Sequence, residues 1–406
     1  MLKKVLFISY DGLTDSLGQA QILPYLIGLS KKGHNISILS CEKPENFKKN
    51  HSIVSQKCKE VNITWYYIDY NNSIPVVSSF LTVRKLRSKA LKIAKQCKIE
   101  ILHCRSIIPA LVGESLQKRL GIKFIFDIRG FWADERVDGK IWNLKNPFYR
   151  FLYKYFKGKE KYLFREADCI VTLTENAKSY IQKEFETKNE FLVVPCCVDF
   201  EHFDYKKLEG EEVKQLRSKI GIPNDSYVLT YVGSLGTRYM LQEMLEFFKV
   251  LKTIQSNASF LFISKSDTTE IQLICKNIGL DFNSIYITSC EYTEIPEYIS
   301  IGNASIFFII TSFSGKAVSP TKQAEVMSLG LPIIANSGLG DTDIILNKTK
   351  SGLVLNEFTD SEYQKIAQEI IQFKSDKVEI REAATRYFTL DLGINKYHSE
   401  YKNLKV

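Results

Sequence analysis

The chain has 406 residues, more than one hydrophobic core usually supports, so its length predicts two domains. With 45% hydrophobic and 25% charged residues it is not a disordered protein, and its apolar runs are too short to span a membrane. The first 200 residues hold 33 basic and 20 acidic side chains, whereas the rest hold 22 and 26. The N-terminal half is therefore expected to meet any anionic partner.

Cysteine usage indicates the compartment. The nine cysteines are scattered, odd in number and without the spacing of a metal site. This pattern predicts reduced thiols in a cytoplasmic protein.

Short apolar runs alternate with helical stretches over the first part of the chain. Strands are predicted at 5–9, 36–40, 64–68, 101–104, 123–127 and 169–173, and helices at 19–32, 79–96 and 109–120. This alternation predicts a doubly wound parallel sheet, in which ligands bind beyond the carboxyl ends of the strands.

A second series of the same kind begins after an irregular, charged stretch. Its strands are predicted near 227–233, 259–263, 284–287, 305–310, 332–335 and 352–355. We therefore expect an N-terminal domain over 1–198, a linker over 199–224 and a C-terminal domain over 225–388. Residues 389–406 are expected to form a helix that packs back on the N-terminal domain, with Tyr397 and Tyr401 on one face.

Four polar features of the first domain are candidate site residues at its ligand-binding edge. Gly18 ends a glycine-bearing loop after the first strand, which could equally be a simple turn. His103 at a strand end could contact a sugar hydroxyl or be an ordinary hydrogen-bonded histidine. Asp127 and Arg129 precede a dense run of charge, which favours a site, although an ion pair bracing the edge is the alternative.

The stretch from Ser319 to Ala335 has a pattern typical of an anion site. It predicts a loop, a helix capped by Ser319 or Thr321, a stop at Gly330 and a buried strand. A helix N-terminus binds phosphate through its free N–H groups and positive dipole, and Lys322 adds a full charge. The alternative is a surface ion pair between Lys322 and Glu325.

Four stretches together resemble the group 1 glycosyltransferases, family four: Asp15–Gln19, Phe126–Glu135, Tyr231–Thr237 and Ser319–Pro332. The resemblance spans nearly the whole chain and is strongest to bacterial members that build surface polysaccharides. It implies an α/β protein of GT-B architecture, with two Rossmann-like doubly wound domains facing across a cleft. It also implies a nucleotide-sugar donor held by the C-terminal domain, a glycan or lipid-linked acceptor held by the N-terminal domain, and retention at the anomeric carbon.

The resemblance assigns roles to residues of the second domain, with two departures. Glu325 matches the second glutamate of the donor motif and would bind the ribose hydroxyls, but the first glutamate is replaced by Ala317. After the glycine that matches Gly233, Ser234 and Met240 stand where many members carry Arg and Lys.

Because of these two departures, the positive charge that stabilises the leaving group is expected to come from other residues. Lys322 and Arg238 become the candidates that stabilise the leaving diphosphate, with Asp127 as a third catalytic candidate. Gly233, Ser234, Ser319 and Thr321 would join Glu325 in holding the donor. Gly18, His103 and Arg129 would lie on the acceptor side.

No cofactor is expected, since the nucleotide sugar is a substrate. No catalytic metal is expected either, because no Asp-x-Asp motif appears where it would be useful. Asp341 and Asp343 have the spacing of a metal-binding pair, but they follow a glycine-rich turn and more readily begin a helix.

The segment 140–165 combines eight basic residues and one acidic residue with many aromatic ones. A helix from Pro147 would place Phe148, Leu152 and Tyr155 on one side, with a second side formed by Arg150, Lys154, Lys157 and Lys161. Such a helix could bind an anionic membrane surface. The equal alternative is a helix packed on the domain core with solvated lysines.

The sequence favours a glycosyltransferase working in the cytoplasm, peripheral on the inner face of the cell membrane. Two alternatives stay open. A nucleotide-sugar epimerase of the same architecture would need acid and base groups converging on one sugar carbon. A nucleotide-sugar-binding protein without turnover would fit the departures at Ala317 and Ser234. No nucleic-acid-binding module is found.

Overall fold

The computed structural model describes residues 2–70, 75–185, 187, 189–207, 210–236, 238–374 and 376–405. The chain divides into two compact units, and the first combines Met1–Cys197 with Leu390–Val406, whereas the second is Val198–Thr389. The predicted linker lies within the second unit: it contains the helix α9, Glu211–Ile220, and contributes Phe203 and Ile222 to that unit's core.

The first unit is a seven-stranded parallel sheet of order β3-β2-β1-β4-β5-β6-β7. Its strands are β1 Lys4–Ser9, β2 Asn35–Glu42, β3 Thr64–Asp69, β4 Ile101–Arg105, β5 Lys123–Asp127, β6 Cys169–Thr172 and β7 Glu190–Val193. Its helices are α1 Ser16–Gln21, α2 Leu23–Lys31, α3 Pro44–Glu60, α4 Pro75–Gln96, α5 Ile107–Leu120, α6 Trp132–Asp138, α7 Pro147–Glu166, α8 Glu175–Phe185 and the C-terminal α17 Leu390–Asn403.

Two details of the first unit differ from the sequence prediction. The helix expected over 19–32 is divided into α1 and α2 at Ile22, because Pro24 in the first turn of α2 has no N–H to continue the helical ladder. The short strand β7 was not predicted, since its four residues show no clear alternation.

The C-terminal helix α17 belongs to the core of the first unit. Its Tyr397 and Tyr401 are buried, as are Ile394 and Leu404. The helix approaches α2 closely at Gly28, where an added β-carbon would lie 2.2 Å from Ile394 Cδ1. Residues distant in sequence therefore complete the hydrophobic core of this unit.

The second unit is a six-stranded parallel sheet of order β10-β9-β8-β11-β12-β13. Its strands are β8 Tyr227–Val232, β9 Ala258–Ile263, β10 Ile285–Thr288, β11 Ala304–Phe307, β12 Ile333–Asn336 and β13 Gly352–Leu355. Besides α9, its helices are α10 Leu241–Ile254, α11 Thr269–Ile278, α12 Ile295–Ser300, α13 Thr321–Ser328, α14 Thr342–Thr349, α15 Asp360–Ile371 and α16 Lys377–Phe388.

In each sheet the first strand, β1 or β8, is central: the next two strands are added on one side of it, and the chain then crosses over to add the remaining strands on the other side. In open parallel sheets this point, at the carboxyl ends of the strands, is where ligands bind. The two predicted Rossmann-like domains are thus confirmed, and each presents one such edge. Within the described part of the chain, no helix is both long and apolar enough to cross a membrane.

Candidate active site

Lys322, the second residue of α13, is a buried lysine beside the end of β8. Its side chain is 7% exposed, and its Nζ lies 4.2 Å from the ring centroid of Tyr231 and 3.7 Å from that of Tyr239. Among the described residues Nζ has no hydrogen-bond partner. A cation–π contact offsets only part of the cost of burying an ammonium, so the site favours an anion that pairs with it.

Burial also shifts the protonation of Lys322 and of Glu325, one turn further along α13. Desolvation lowers the pKa of Lys322 to about 7, an effect that the charge of Glu325 partly opposes. Desolvation raises the pKa of Glu325 to about 7, and here the charge of Lys322 works in the opposite direction. The alternative of an exposed ion pair is therefore excluded, because both groups are buried and each has lost hydration.

The loop after β8 lies directly over the Lys322 ammonium. A β-carbon placed on Gly233 would be 3.2 Å from Lys322 Nζ, and Gly233 has φ +121°, which side-chain-bearing residues rarely adopt. The exposed Ser234 accepts, through its carbonyl oxygen, a hydrogen bond of 2.5 Å from Tyr231 Oη. The same tyrosine thus supports Lys322 and fixes the loop. Thr237 lies outside the described residues.

Arg238 contacts the turn that holds the position of the replaced glutamate. Its Nη2 donates to Ser314 Oγ at 3.3 Å, and Ser314 belongs to a short 3-10 helix, Phe313–Ala317. Ala317 is 1% exposed, so this position supplies a buried methyl group and no carboxylate. Arg238 directly precedes Tyr239, whose ring contacts Lys322.

The start of α13 differs from the prediction. Pro320 occupies the N-cap position, so neither Ser319 nor Thr321 caps the helix, and both are half-buried beside it. Proline has no side chain that can accept hydrogen bonds from the first turn, and its carbonyl oxygen accepts one from Gln323 N at 3.0 Å. The predicted stop is confirmed: Gly330 has φ +70° and Leu331 N donates to Val326 O at 3.2 Å.

Asp127 and His103 form a buried polar cluster in the first unit. Each is 1% exposed, and their carboxylate and Nε2 atoms are 3.5 Å apart. Helix α17 covers them, because Tyr397 Oη donates to Asp127 Oδ2 at 3.2 Å and Tyr401 Oη lies 2.6 Å from His103 Nδ1. In this structure both predicted site residues are engaged inside the unit.

Charge and burial oppose each other in this polar cluster. Burial alone would raise the pKa of Asp127, but the Arg129 guanidinium and His103 lower it below its ordinary value. Burial lowers the pKa of His103, and the Asp127 carboxylate only partly offsets this. Arg129, with φ +53°, has its Nη1 4.0 Å from Asp127 Oδ2. The arrangement holds an ionised aspartate next to a neutral histidine.

The loop that ends at Gly18 is held by specific hydrogen bonds and close packing, so it is more than a simple turn. The buried carboxylate of Glu42 accepts hydrogen bonds from the backbone N–H groups of Leu13, at 2.8 Å, and Thr14, at 3.1 Å. A β-carbon on Gly18 would lie 2.0 Å from the carbonyl oxygen of Gly12. The loop backbone is therefore held at the carboxyl end of β1.

Three residues of these two sites were not found from the sequence. Tyr231 lies in a buried strand and Tyr239 just before a helix, where aromatic residues usually serve packing. Glu42, at the end of β2, carried no motif. Their roles arise from contacts between elements, so the sequence had no local signal for them. The prediction that Asp341 begins a helix, which rested on a local pattern, is confirmed, because Asp341 is the N-cap residue of α14.

Helix α7 begins at Pro147 as predicted, but its two faces differ from the prediction. Lys157 points inward and pairs with Asp134 at 2.8 Å and with the buried Glu160. Phe148, Phe151 and Tyr155 are exposed, at 47%, 66% and 45%. The reason is that α6 already covers the opposite face of the helix, as the 4.8 Å contact between the Trp132 and Phe156 rings shows.

Two family models together match most of the chain. Residues 25–202 match the model of glycosyltransferase family 4, and residues 212–389 match that of glycosyl transferases group 1. The chain belongs to the group 1 glycosyltransferases, family four, and has the GT-B fold.

Individual proteins are similar at low identity. EpsD of Bacillus subtilis, whose name describes a glycosyltransferase, is 22% identical over 69% of this chain and 70% of its own length. Alpha-monoglucosyldiacylglycerol synthase of Streptococcus pneumoniae is 22% identical over 66% of this chain and 59% of its own length. The structure of Anabaena HepE in complex with UDP and glucose has a TM-score of 0.69, with 12% identity over 99% of this chain and 100% of that one.

Proposed function

We propose that this protein is a retaining glycosyltransferase that moves a sugar from a nucleoside diphosphate donor to a glycan or lipid-linked acceptor in surface polysaccharide synthesis. It works at the cytoplasmic face of a membrane, without a cofactor or a catalytic metal. The observation that carries the proposal is the buried ammonium of Lys322, which has no hydrogen-bond partner among the described residues. Such a group is costly unless an anion arrives to pair with it.

The chemistry requires charge stabilisation at the leaving group. The bond between the anomeric carbon and the diphosphate oxygen breaks, and its electron pair remains on the diphosphate. The acceptor hydroxyl attacks from the same face, its oxygen bonds to the anomeric carbon, and its proton passes to the departing phosphate. Lys322 and Arg238 stabilise the negative charge as it develops, which lowers the barrier more than it stabilises bound substrate.

Donor positioning is assigned to the residues around α13 and the loop after β8. Glu325 binds the ribose hydroxyls, Gly233 and Ser234 offer backbone to the phosphates, and Ser319 and Thr321 flank the N-cap Pro320 at the helix start. The complex of HepE with UDP supports a uridine nucleotide as the first donor to test. The catalytic role of Asp127 and the acceptor-side roles of Gly18, His103 and Arg129 stay predictions.

One experiment tests this function against its two alternatives. The purified protein is incubated with a panel of nucleotide sugars, with and without membrane extract, and release of nucleoside diphosphate is followed. A transferase releases diphosphate only when an acceptor is present, whereas an epimerase converts the donor sugar without release. Nucleotide binding with no turnover in any mixture would contradict the proposal and favour the non-catalytic alternative.

A further inference from the structure

The exposed side of α7 carries an apolar strip next to a basic strip. At about 100° per residue, Phe148, Phe151 and Tyr155 fall within about 60° of one another around the helix axis. Arg150, Lys154, Lys161 and Arg165 fall within a neighbouring arc of about 60°, and all four are exposed. We call these seven residues the α7 outer face.

The apolar strip is strongly exposed. Phe148, Phe151 and Tyr155 are 47%, 66% and 45% exposed. The turn before the helix packs elsewhere, since Trp142 is stacked on Tyr149, with the two ring centroids 6.4 Å apart. Water-soluble surfaces seldom leave such a group of apolar side chains uncovered without a binding role.

The inner side of α7 already anchors the helix without these residues. Tyr153 Oη donates to Asp134 Oδ1 at 2.8 Å, Lys157 pairs with the same carboxylate, and Leu163 and Phe164 are fully buried. Side chains other than the exposed aromatic rings therefore hold the helix to the unit.

The four charged residues of the outer face are all basic. The two carboxylates of α7 are turned to other partners: Glu160 is buried against Lys157, and Glu166 lies 3.5 Å from Lys118 on α5. Lys140 and Lys145, in the turn before the helix, are exposed as well. A surface with aromatic side chains beside several unneutralised cations complements an anionic lipid leaflet, where rings enter the headgroup region and cations meet phosphate.

We propose that the α7 outer face docks this protein on an anionic lipid bilayer by inserting Phe148, Phe151 and Tyr155 between the headgroups. This inference rests on the proposed function in one respect: the protein would meet a lipid-linked acceptor at the bilayer surface. Docking itself needs neither donor nor acceptor, so it can be measured separately.

The test is sedimentation of the full-length protein with vesicles of phosphatidylcholine, alone or with about 30% phosphatidylglycerol. The parent protein should bind the anionic vesicles at low salt and release in high salt. The Phe148→Ser/Phe151→Ser variant should bind at least about tenfold more weakly, and Arg150→Gln/Lys154→Gln should lose most of the preference for anionic lipid.

Matched controls make the same changes elsewhere. Ile254→Ser/Leu273→Ser removes two exposed apolar side chains of the second unit, and Lys48→Gln/Lys49→Gln removes two exposed charges of α3. Both controls should bind vesicles as the parent does. A thermal-shift measurement with UDP establishes that each variant is folded.

Three results would overturn the docking surface. They are a parent protein that does not bind anionic vesicles at low salt, equal binding by the Phe148→Ser/Phe151→Ser variant, and a dimer that this variant dissociates without any lipid binding. The last result would assign the face to a second copy of the chain. Vesicle binding without sugar transfer under any condition would instead leave the surface standing and contradict the proposed function.

Discussion

The Lys322 ammonium nitrogen lies 3.7 Å from the centroid of the Tyr239 ring, and no described residue accepts a hydrogen bond from it. A desolvated cation–π contact contributes about 2 kcal/mol, whereas burying an ammonium costs several kcal/mol. Below about pH 7 the free protein thus holds a cation that is only partly compensated. An arriving diphosphate would supply the missing partner, which makes Lys322 the residue on which the proposed chemistry depends most.

Replacing Lys322 should therefore abolish most activity. For Lys322→Ala we expect kcat/KM to fall by about 100-fold or more, because a charge aimed at the leaving group is lost. The measurement is acceptor-dependent release of nucleoside diphosphate. Lys316→Ala is the matched control, since Lys316 is an exposed lysine six residues earlier in the chain. Activity of Lys322→Ala within a few-fold of the parent would show that the phosphates bind elsewhere.

Donor affinity should depend on pH above neutrality. The protonated form of Lys322 binds the diphosphate, and burial lowers its pKa to about 7 in the free protein. A bound phosphate raises that pKa, so the complex holds more protons and affinity falls by up to about tenfold per pH unit above pH 7. Ionisation of Glu325, whose pKa burial raises to about 7, acts in the same direction.

Calorimetry of nucleotide-sugar binding between pH 6 and 9 measures this dependence. Titrations in two buffers of different ionisation enthalpy should reveal proton uptake on binding near pH 8. The Lys322→Met variant should bind weakly and with a flatter pH profile. A dissociation constant that does not change over this range would exclude Lys322 as the phosphate partner.

Gly233 should tolerate no side chain. Its φ of +121° and the 3.2 Å separation between a β-carbon and Lys322 Nζ predict that Gly233→Ala lowers the free energy of unfolding by about 1–3 kcal/mol and weakens donor binding. Gly236 lies in the same loop, and a β-carbon there would have its nearest contact at 3.9 Å. Gly236→Ala should thus resemble the parent in denaturant titration and UDP binding, and equal losses in both variants would refute the steric argument.

The contact between Tyr401 and His103 should matter for stability. Tyr401→Phe removes the hydroxyl 2.6 Å from His103 Nδ1 and leaves a buried nitrogen without its partner. We expect a loss of about 1–2 kcal/mol in the free energy of unfolding. Tyr155→Phe, at a tyrosine 45% exposed, should change it little. If urea titration gives the same midpoint for all three proteins, helix α17 does not stabilise the first unit through this contact.

Local patterns were sufficient to predict the class of fold and the donor-side segment. The apolar runs that became β1 and β8, the stop at Gly330 and the buried strand after it are fixed by short-range propensity, and the sequence shows them directly. The failed prediction that Ser319 or Thr321 caps α13 has a local cause too, because Pro320 takes the N-cap position between them.

Other features were decided only in three dimensions. Whether Lys322 and Glu325 form an exposed pair or a buried site depends on what covers α13, and Tyr231 and Tyr239 come from another part of the chain. Likewise α6 determines which face of α7 is left exposed, and α17 returns to bury Asp127 and His103. Sequence determines which residues are charged or apolar; burial and pairing, which set their energies, arise from contacts between distant segments.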